Sequence, residues 1–355
     1  MIFEYADKYI SGVLTILPKN SVNFKDELAN YAFSEKQSLK LASIMGLDKR
    51  RVAIPGTCSS DLCLAGLLYL IDKKLLDRDE IDALLFVSQT PDYQMPPTSN
   101  LLHGKLGLSS NVVCLDINQG CAGFIVGLIQ AFQLLDQKKV NQVVLLNVDV
   151  LSPKVSPDDR NSAPLIGDAA SITIIKKNNG LNAAIIASLK MDGKGAMALN
   201  IPAGLARMPY SPETEVMYRD DSGNSRSLNH LVMHGDQVFN FVMNSVPPLV
   251  REILEESGET IDSIDKFIFH QPNKFMLEKL ADELSIEYAK LPSNTVGLYG
   301  NSSGATIPVT LVHNFSKQLL SETMKICFCG FGVGLAWGAT ILNVGKLDFC
   351  EMLEV

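Results

Sequence analysis

Residues 122–135, Ala-Gly-Phe-Ile-Val-Gly-Leu-Ile-Gln-Ala-Phe-Gln-Leu-Leu, read as a helix that is apolar on nearly every face. Such a helix belongs in an interior. That requires a core large enough to surround it. At 355 residues, 46% hydrophobic and 20% charged, the chain can build one without disulfide or metal staples. Its length corresponds to about two domains or one large fused unit.

Apolar runs of strand length alternate with longer helical patterns throughout, the signature of an α/β protein with mostly enclosed sheets. Expected strands are 83–87, 112–117, 143–148, 169–175, 184–189, 266–269, 324–329 and 336–342. Expected helices are 60–71, 122–135, 237–256, 274–284 and 305–319. Both halves read alike. The polar, turn-forming residues 176–180 mark a seam near the midpoint, dividing the chain into 1–178 and 179–355. Residues 193–229, rich in Gly, Pro, Ser and charge, read as an excursion of loop character.

Charge and cysteine usage narrow the function classes. With 31 Lys and Arg against 39 Asp and Glu the net charge is −8, and without Lys/Arg tracts there is no electrostatic footprint for nucleic acid. Glu4 and Asp7 interrupt the start, and no segment approaches the roughly 18 apolar residues of a membrane span, so neither secretion nor membrane insertion is expected. Seven cysteines, an odd number in apolar surroundings, fit reduced thiols in a cytoplasm. Asp158-Asp159 and Asp220-Asp221 read as solvated loop charges.

Four segments carry candidate chemistry. In Asp116-Ile-Asn-Gln-Gly-Cys-Ala-Gly-Phe an apolar strand turns through Gly120-Cys121 into the enclosed helix. If Cys121 sits at the first helical turn, free backbone N–H groups and the positive end of the helix dipole favour its thiolate and lower the thiol pKa. The alternative is a small buried cysteine that only packs a core. His270, in Lys266-Phe-Ile-Phe-His-Gln-Pro-Asn, ends a buried strand, where ligand sites of α/β sheets collect, or is a satisfied structural histidine. Gly297-Leu-Tyr-Gly-Asn-Ser-Ser-Gly is a tight turn able to present the Asn301 amide to a cavity, or an ordinary turn and cap. Cys329-Gly-Phe-Gly-Val-Gly-Leu-Ala-Trp-Gly is a glycine-rich loop of the kind that points N–H groups at an anion, without the lysine of a P-loop. His230 and His234, with Asp236 nearby, have helical spacing for a metal, but such short spacings are weak motifs.

Taken in order, Gly-Cys-Ala-Gly-Phe, His-Gln-Pro-Asn, Gly-Asn-Ser-Ser-Gly and Gly-Phe-Gly-Val-Gly-Leu-Ala-Trp-Gly resemble the condensing enzymes of the thiolase superfamily, with β-ketoacyl-acyl carrier protein synthase III the nearest match. The resemblance spans about residue 45 to the C-terminus and includes Leu165-Ile-Gly-Asp-Ala-Ala. It implies an α/β, thiolase-like five-layer αβαβα fold. Two similar halves, each with a five-stranded sheet, surround two buried helices, and the enzyme is normally a homodimer. The first half then carries the nucleophilic cysteine and the second the histidine and asparagine.

The same resemblance assigns roles. Cys121 matches the nucleophile that takes an acyl group from a thioester of coenzyme A or acyl carrier protein. His270 and Asn301 match the pair that hydrogen-bonds the carbonyl of a malonyl thioester while it loses CO₂. The backbone N–H groups of Cys121 and Val333 match an oxyanion hole. Gly332 lies beside that hole and, with Thr90, is grouped with the substrate-binding positions. Arg160 matches an arginine at the mouth of the pantetheine tunnel, a place to hold phosphate. Lys274 stands beside Phe275, which occupies the place of the family's carrier-docking arginine. Gln89-Thr-Pro-Asp-Tyr-Gln-Met-Pro-Pro resembles the segment that reaches the partner subunit's acyl pocket, with Met95 or Pro96 replacing a bulky aromatic stop. A primer other than acetyl follows from that replacement. The family's coenzyme A-contacting Trp and Arg are missing from residues 40–53, where Ile44 takes the Arg position. No metal or redox cofactor is expected.

Three neighbouring chemistries are weighed against this. Hydroxymethylglutaryl-coenzyme A synthases need a glutamate where this chain has Thr90. Degradative thiolases need a second cysteine at the position of Gly330, with Cys329 one residue away. Transfer of the acyl group from Cys121 to an alcohol or amine is the alternative activity, and a catalytically silent scaffold is the alternative outside enzymes.

Overall fold

The computed structural model describes residues 1–177 and 184–355, so the expected seam at 176–180 lies largely outside the described residues. The first half contributes strands Ile2–Tyr5 (β1), Lys8–Leu17 (β2), Ala83–Val87 (β3), Val113–Ile117 (β4), Gln142–Asp149 (β5) and Ala169–Lys177 (β6). Its helices are Glu35–Met45 (α1), Ser59–Asp72 (α2), Thr98–Leu106 (α3) and Gly123–Leu135 (α4). The second half adds Ile185–Met191 (β7), Lys266–Phe269 (β8), Thr323–Gly332 (β9), Ala336–Gly345 (β10) and Phe349–Glu354 (β11). Helices Gly235–Ser257 (α5), Lys274–Leu284 (α6) and Thr306–Leu319 (α7) accompany them.

The strands form one sheet in the order β11-β2-β6-β5-β3-β4 and another in the order β1-β7-β10-β9-β8. β5, apolar on both faces, is buried at every position, as a strand covered on both sides must be. Helices α4 and α7 share one core with the inward faces of both sheets, through Phe124, Ile129, Leu311 and Phe315 against Leu145, Val87, Ile268 and Phe328. Leu67 of α2 and Leu102 of α3 cover the outer face of the first sheet. Val246 of α5 and Leu277 of α6 cover that of the second. The result is the five-layer αβαβα order, with the first sheet six-stranded rather than five.

The division at 178/179 is crossed at both ends. β1 pairs antiparallel with β7 in the second sheet, and β11 pairs parallel with β2 in the first. These strands escape the apolar-run test because β1 is half-exposed and β2 is interrupted by Gly12. A side chain at Gly12 would lie 2.3 Å from the Phe349 ring, so that glycine is what lets β11 seat.

Glycines also decide how close α4 comes. A Cβ at Gly127 would meet Leu145 at 2.5 Å, and one at Gly123 would meet Val87 at 2.8 Å. Each glycine costs a helix about 1 kcal/mol, whereas each fully buried Leu, Ile or Phe returns about 1.5–3 kcal/mol. Burial wins, and α4 lies directly on β3 and β5.

Two features contradict the sequence reading of the loops. Asp159 is 1% exposed and paired with Arg226 at 3.0 Å, which also reaches Asp220 at 2.8 Å. Asp159 and Asp220 are thus not solvated charges, whereas their neighbours Asp158 and Asp221 are exposed as expected. The paired charges pin the 193–229 excursion to the first half, and burying an arginine in this way is tolerable only because both carboxylates meet it. The glycine-rich segment after Cys329 is strand up to Gly332 and then a tight hairpin into β10, so it is no open loop. Among the described residues, no helix is long and apolar enough to cross a membrane.

The halves are laced at Leu165–Asp168. Asn301 donates its N–H to Leu165 O at 2.6 Å, and Gly167 donates to Asn301 O at 3.1 Å. A Cβ on Gly167 would lie 2.2 Å from Tyr299 O, against backbone that cannot swing aside. Gly167→Ala is therefore expected to cost about 2–3 kcal/mol. A urea-denaturation midpoint equal to that of the unsubstituted protein would show that the seam yields.

Candidate active site

Parallel pairing of β3 with β4 and β5, and of β8 with β9, brings five strand ends to one side of the two sheets. Ligand sites of such sheets lie beyond those ends. Here they deliver Gln89, Cys121, Asp149, His270 and Val333.

Cys121 lies in the turn between β4 and α4, two residues before the helix begins, and is 7% exposed. A Cβ on Gly332 would sit 2.8 Å from its Sγ, so Gly332 leaves the space beside the sulfur. The Val333 and Cys121 backbone N–H groups point at Sγ, and Ser303 Oγ is 3.9 Å away. The expected acidic thiol is not found. Burial pushes the Cys121 thiol up to about 11, the Asp149 carboxylate adds to that, and the hydroxyl and backbone donors only partly offset it. Desolvation in a dry pocket outweighs a few dipoles.

His270 is 2% exposed, its ring against the edge of Phe331. Its Nδ1 is 3.1 Å from Ser303 O and 2.8 Å from Thr306 Oγ1. The Thr306 hydroxyl donates to Ser303 O at 2.7 Å and accepts Gln271 N–H at 3.2 Å. This arrangement assigns the proton to Nδ1 and leaves the Nε2 lone pair free. Burial pushes the imidazole pKa down to about 3, so the ring is neutral. Asn301 Oδ1 accepts the Ser303 N–H at 2.9 Å, which leaves its NH₂ end to face the cavity that it lines.

Ser303 thus ties the three expected residues together, bonding His270 through its carbonyl and Asn301 through its N–H, with its hydroxyl beside Cys121. It has φ 57°, a left-handed conformation rare outside glycine, which lets all three groups point inward. Sequence reasoning passed over it, and over Asp149. That carboxylate, 2% exposed, accepts from Gln89 N at 2.9 Å and from Ser88 Oγ and Thr90 Oγ1 at 3.1 Å each, and burial raises it to about 6. Ser303 lies inside the Gly-Asn-Ser-Ser-Gly motif, and Asp149 is marked only by its place at the end of an apolar strand.

Cys121, Asn301, Ser303 and Val333 line a cavity with an empty volume of about 880 Å³, its mouth included. The remaining walls are mostly apolar: Leu151, Leu165, Ile166, Leu231 and Met233, with Leu199, Asn200 and Ile201 from the excursion. Apolar walls with a few convergent polar groups suit a small organic ligand. His270 reaches the site through Ser303.

The other expected substrate contacts fare differently. Thr90 is consumed in structure, its hydroxyl bonded to Asp149 and accepting Val150 N–H at 3.0 Å, so it is no wall of the cavity. Arg160 lies 3.9 Å over the Phe33 ring and donates to Ser222 O, which occupies much of its capacity for phosphate. Lys274 begins α6 beside Glu278 at 3.6 Å on an exposed surface. Met95, 81% exposed, and Pro96, also exposed, are not among the residues that line the cavity. Ile44 is exposed on α1. His230 accepts Ser227 N–H at 3.0 Å, and His234 stands at the start of α5, so the two do not converge on a common ion.

Residues 115–195 match the family described as 3-oxoacyl-[acyl-carrier-protein (ACP)] synthase III, and residues 254–344 match its C-terminal part. A β-ketoacyl-[acyl-carrier-protein] synthase III of Clostridium acetobutylicum is 32% identical over 306 residues, 86% of this chain and 90% of that protein. One from Caldanaerobacter subterraneus is 30% identical, over 85% of this chain and 88% of that protein. The crystal structure of a 3-oxoacyl-(acyl-carrier protein) synthase from Burkholderia xenovorans superposes with a TM-score of 0.92 at 34% identity, covering 100% of this chain and 99% of that one.

The electrostatics of the sulfur can be checked directly. With its thiol near 11, alkylation of Cys121 by iodoacetamide should be slow at pH 7 and still climbing at pH 10. A rate already level at pH 7 would mean that the helix terminus overcomes burial.

Proposed function

The chain belongs to the 3-oxoacyl-[acyl-carrier-protein] synthase III family, and on that footing we propose that it condenses a Cys121-bound acyl primer with a malonyl thioester, releasing CO₂ and a β-ketoacyl thioester. It is a transferase of the condensing class. The observation that carries the reading is the meeting of Cys121, His270 and Asn301 around Ser303 at the end of a largely apolar cavity.

In the first half-reaction Sγ attacks the thioester carbonyl of the primer, and the developing oxyanion is met by the Cys121 and Val333 N–H groups. The carrier leaves as a thiol and the acyl group stays on Cys121. In the second, the malonyl thioester carbonyl is placed against His270 and the Asn301 NH₂. Loss of CO₂ puts charge on that oxygen, where fixed donors in a dry pocket stabilise it only as it forms. The donor fixed in place is the Asn301 NH₂; His270, neutral, donates at Nε2 only in the other tautomer, with Nδ1 then accepting the Thr306 hydroxyl proton. The enolate carbon then attacks the acyl-Cys121 carbonyl and Cys121 is released. Transfer to an alcohol or amine would use the acyl-Cys121 but would leave the Asn301 NH₂ and the buried His270 without a task, which favours condensation.

Acyl carrier protein is the proposed partner for the malonyl group, and coenzyme A or a carrier protein for the primer. Enclosed apolar walls, with Met95 and Pro96 in place of an aromatic stop, suit a primer longer or more branched than acetyl. A homodimer in the cytoplasm is the proposed form. β4 is a free sheet edge with Val113 and Leu115 each about 40% exposed, and the 89–97 segment carries exposed Tyr93 and Met95. An unpaired apolar edge of this kind calls for a second copy.

Intact-mass measurement after mixing with a panel of acyl-coenzyme A and acyl-carrier thioesters should show one acyl adduct, absent in Cys121→Ala, that is discharged by malonyl carrier with release of CO₂. His270→Ala and Asn301→Ala should keep the adduct and lose CO₂ release by about 10²-fold or more. An adduct that persists with malonyl carrier but is discharged by an alcohol or amine would favour the acyl-transfer alternative. Light scattering should give twice the chain mass, and Leu115→Lys should shift it toward one.

A further inference from the structure

We propose that Asp149, acting through the Ser303 hydroxyl, relays the proton that Cys121 gives up when it is loaded with an acyl group. The proposal rests on the reading of Cys121 as the acyl-carrying nucleophile. Asp149 closes β5 and is not among the residues that line the cavity, yet it gathers N–H and O–H groups from three consecutive residues, with Gln89 Nε2 also 3.4 Å away. The Ser303 hydroxyl faces the same carboxylate. Ser303 Oγ in turn accepts from Gln89 Nε2 at 3.2 Å and lies 3.9 Å from Cys121 Sγ. The hydroxyl therefore stands between sulfur and carboxylate, and the Gln89 amide spans hydroxyl and carboxylate and holds the two together.

A base is needed, because the resting group is a thiol. His270 is poorly suited to act first: its Nδ1–H is held by the Ser303 carbonyl and the Thr306 hydroxyl, and its buried ring resists a second proton down to about pH 3. Asp149, at about 6, is the stronger base of the two. The titratable groups around the carboxylate are few. Cys121 stands across Ser303 on the α4 turn, and His270 lies behind Ser303 at the end of β8. Asp168 is turned to the Leu151 and Ser152 N–H groups, and Asp92 is bonded to Ser60.

As Sγ attacks the acyl carbonyl, its proton passes to Ser303 Oγ while the Ser303 proton passes to Asp149. The tetrahedral intermediate collapses, breaking the donor's C–S bond, and the departing thiolate takes a proton back by the same route. One S–H and one C–S bond break, one of each form, and Asp149 ends as it began. Charge is conserved within the pocket throughout: the carboxylate becomes neutral as negative charge moves onto sulfur, so no second buried anion is created.

The test uses the full-length protein in single turnover, with thiol release from an acyl thioester measured between pH 5 and 9 and CO₂ release from malonyl carrier measured in parallel. Acyl loading by the unsubstituted protein should rise along a limb with its midpoint near 6. Asp149→Asn should lose that limb and lower the ratio of loading to decarboxylation by about 10²-fold. Ser303→Ala should lower the same ratio, and it decides the question if Asp149→Asn does not fold. A preserved limb, or both half-reactions falling together, overturns the relay. If the unsubstituted protein loads no acyl thioester, the parent reading fails and the relay with it, a result distinct from normal loading that the variants leave unchanged.

Discussion

The enclosure of α4 between two sheets governs the rest of the molecule. A helix with no polar face must be covered on every side, and here α7 and both sheets cover it. Its two glycines draw it onto β3 and β5, which places the turn before it, and so Cys121, within reach of Ser303 and Val333 from the other half. Were α4 held off by even a methyl group at Gly127, the sulfur would move away from its partners. The catalytic geometry is a by-product of close packing, and rigidity comes with it.

The same enclosure sets the electrostatics. Cys121, Asp149 and His270 are each displaced toward the neutral form, because each loses water without gaining a full opposite charge. A site built this way stabilises charge only where fixed donors are aimed: the Val333 and Cys121 N–H groups and the Asn301 amide. It also makes proton placement strict, since every anion formed must be matched by a proton moved nearby.

How much of this was legible depended on how local its cause was. The enclosed helix, the buried strand Gln142–Asp149 and helix Lys274–Leu284 are written in continuous apolar runs or helical periodicity, and their bounds held to within a residue or two. His270 and Asn301 stood out as candidates because they follow a strand and a glycine turn, and only the family resemblance gave them roles. Terminal strands β1 and β11 were not, because their partners lie some 180 and 340 residues away in the chain, from Ile2 to Ser188 and from Phe349 to Gly12. Asp159 reads as a surface charge until Arg226 is seen beside it. Ser303 carries no compositional mark; its importance lies in a left-handed φ that only the fold imposes. The thiol was misjudged because a helix N-terminus is visible in sequence and desolvation is not.

Burying these groups also shapes stability. For Asp149 the folded pKa, about 6, lies above the unfolded value of 3.8, so stability present at low pH is lost as pH rises through that interval. At neutral pH the loss is about 3 kcal/mol, a sizeable part of the roughly 5–15 kcal/mol that holds a domain together. His270 works in the opposite sense: its folded pKa of about 3 lies below 6.5, so its stability is intact above 6.5 and is lost on acidification. Acid therefore brings no relief, because the penalty passes from the carboxylate to the imidazole as pH falls. A buried carboxylate maintained at such a cost, where an asparagine could accept some of the same bonds at little cost, is better explained by proton traffic than by packing.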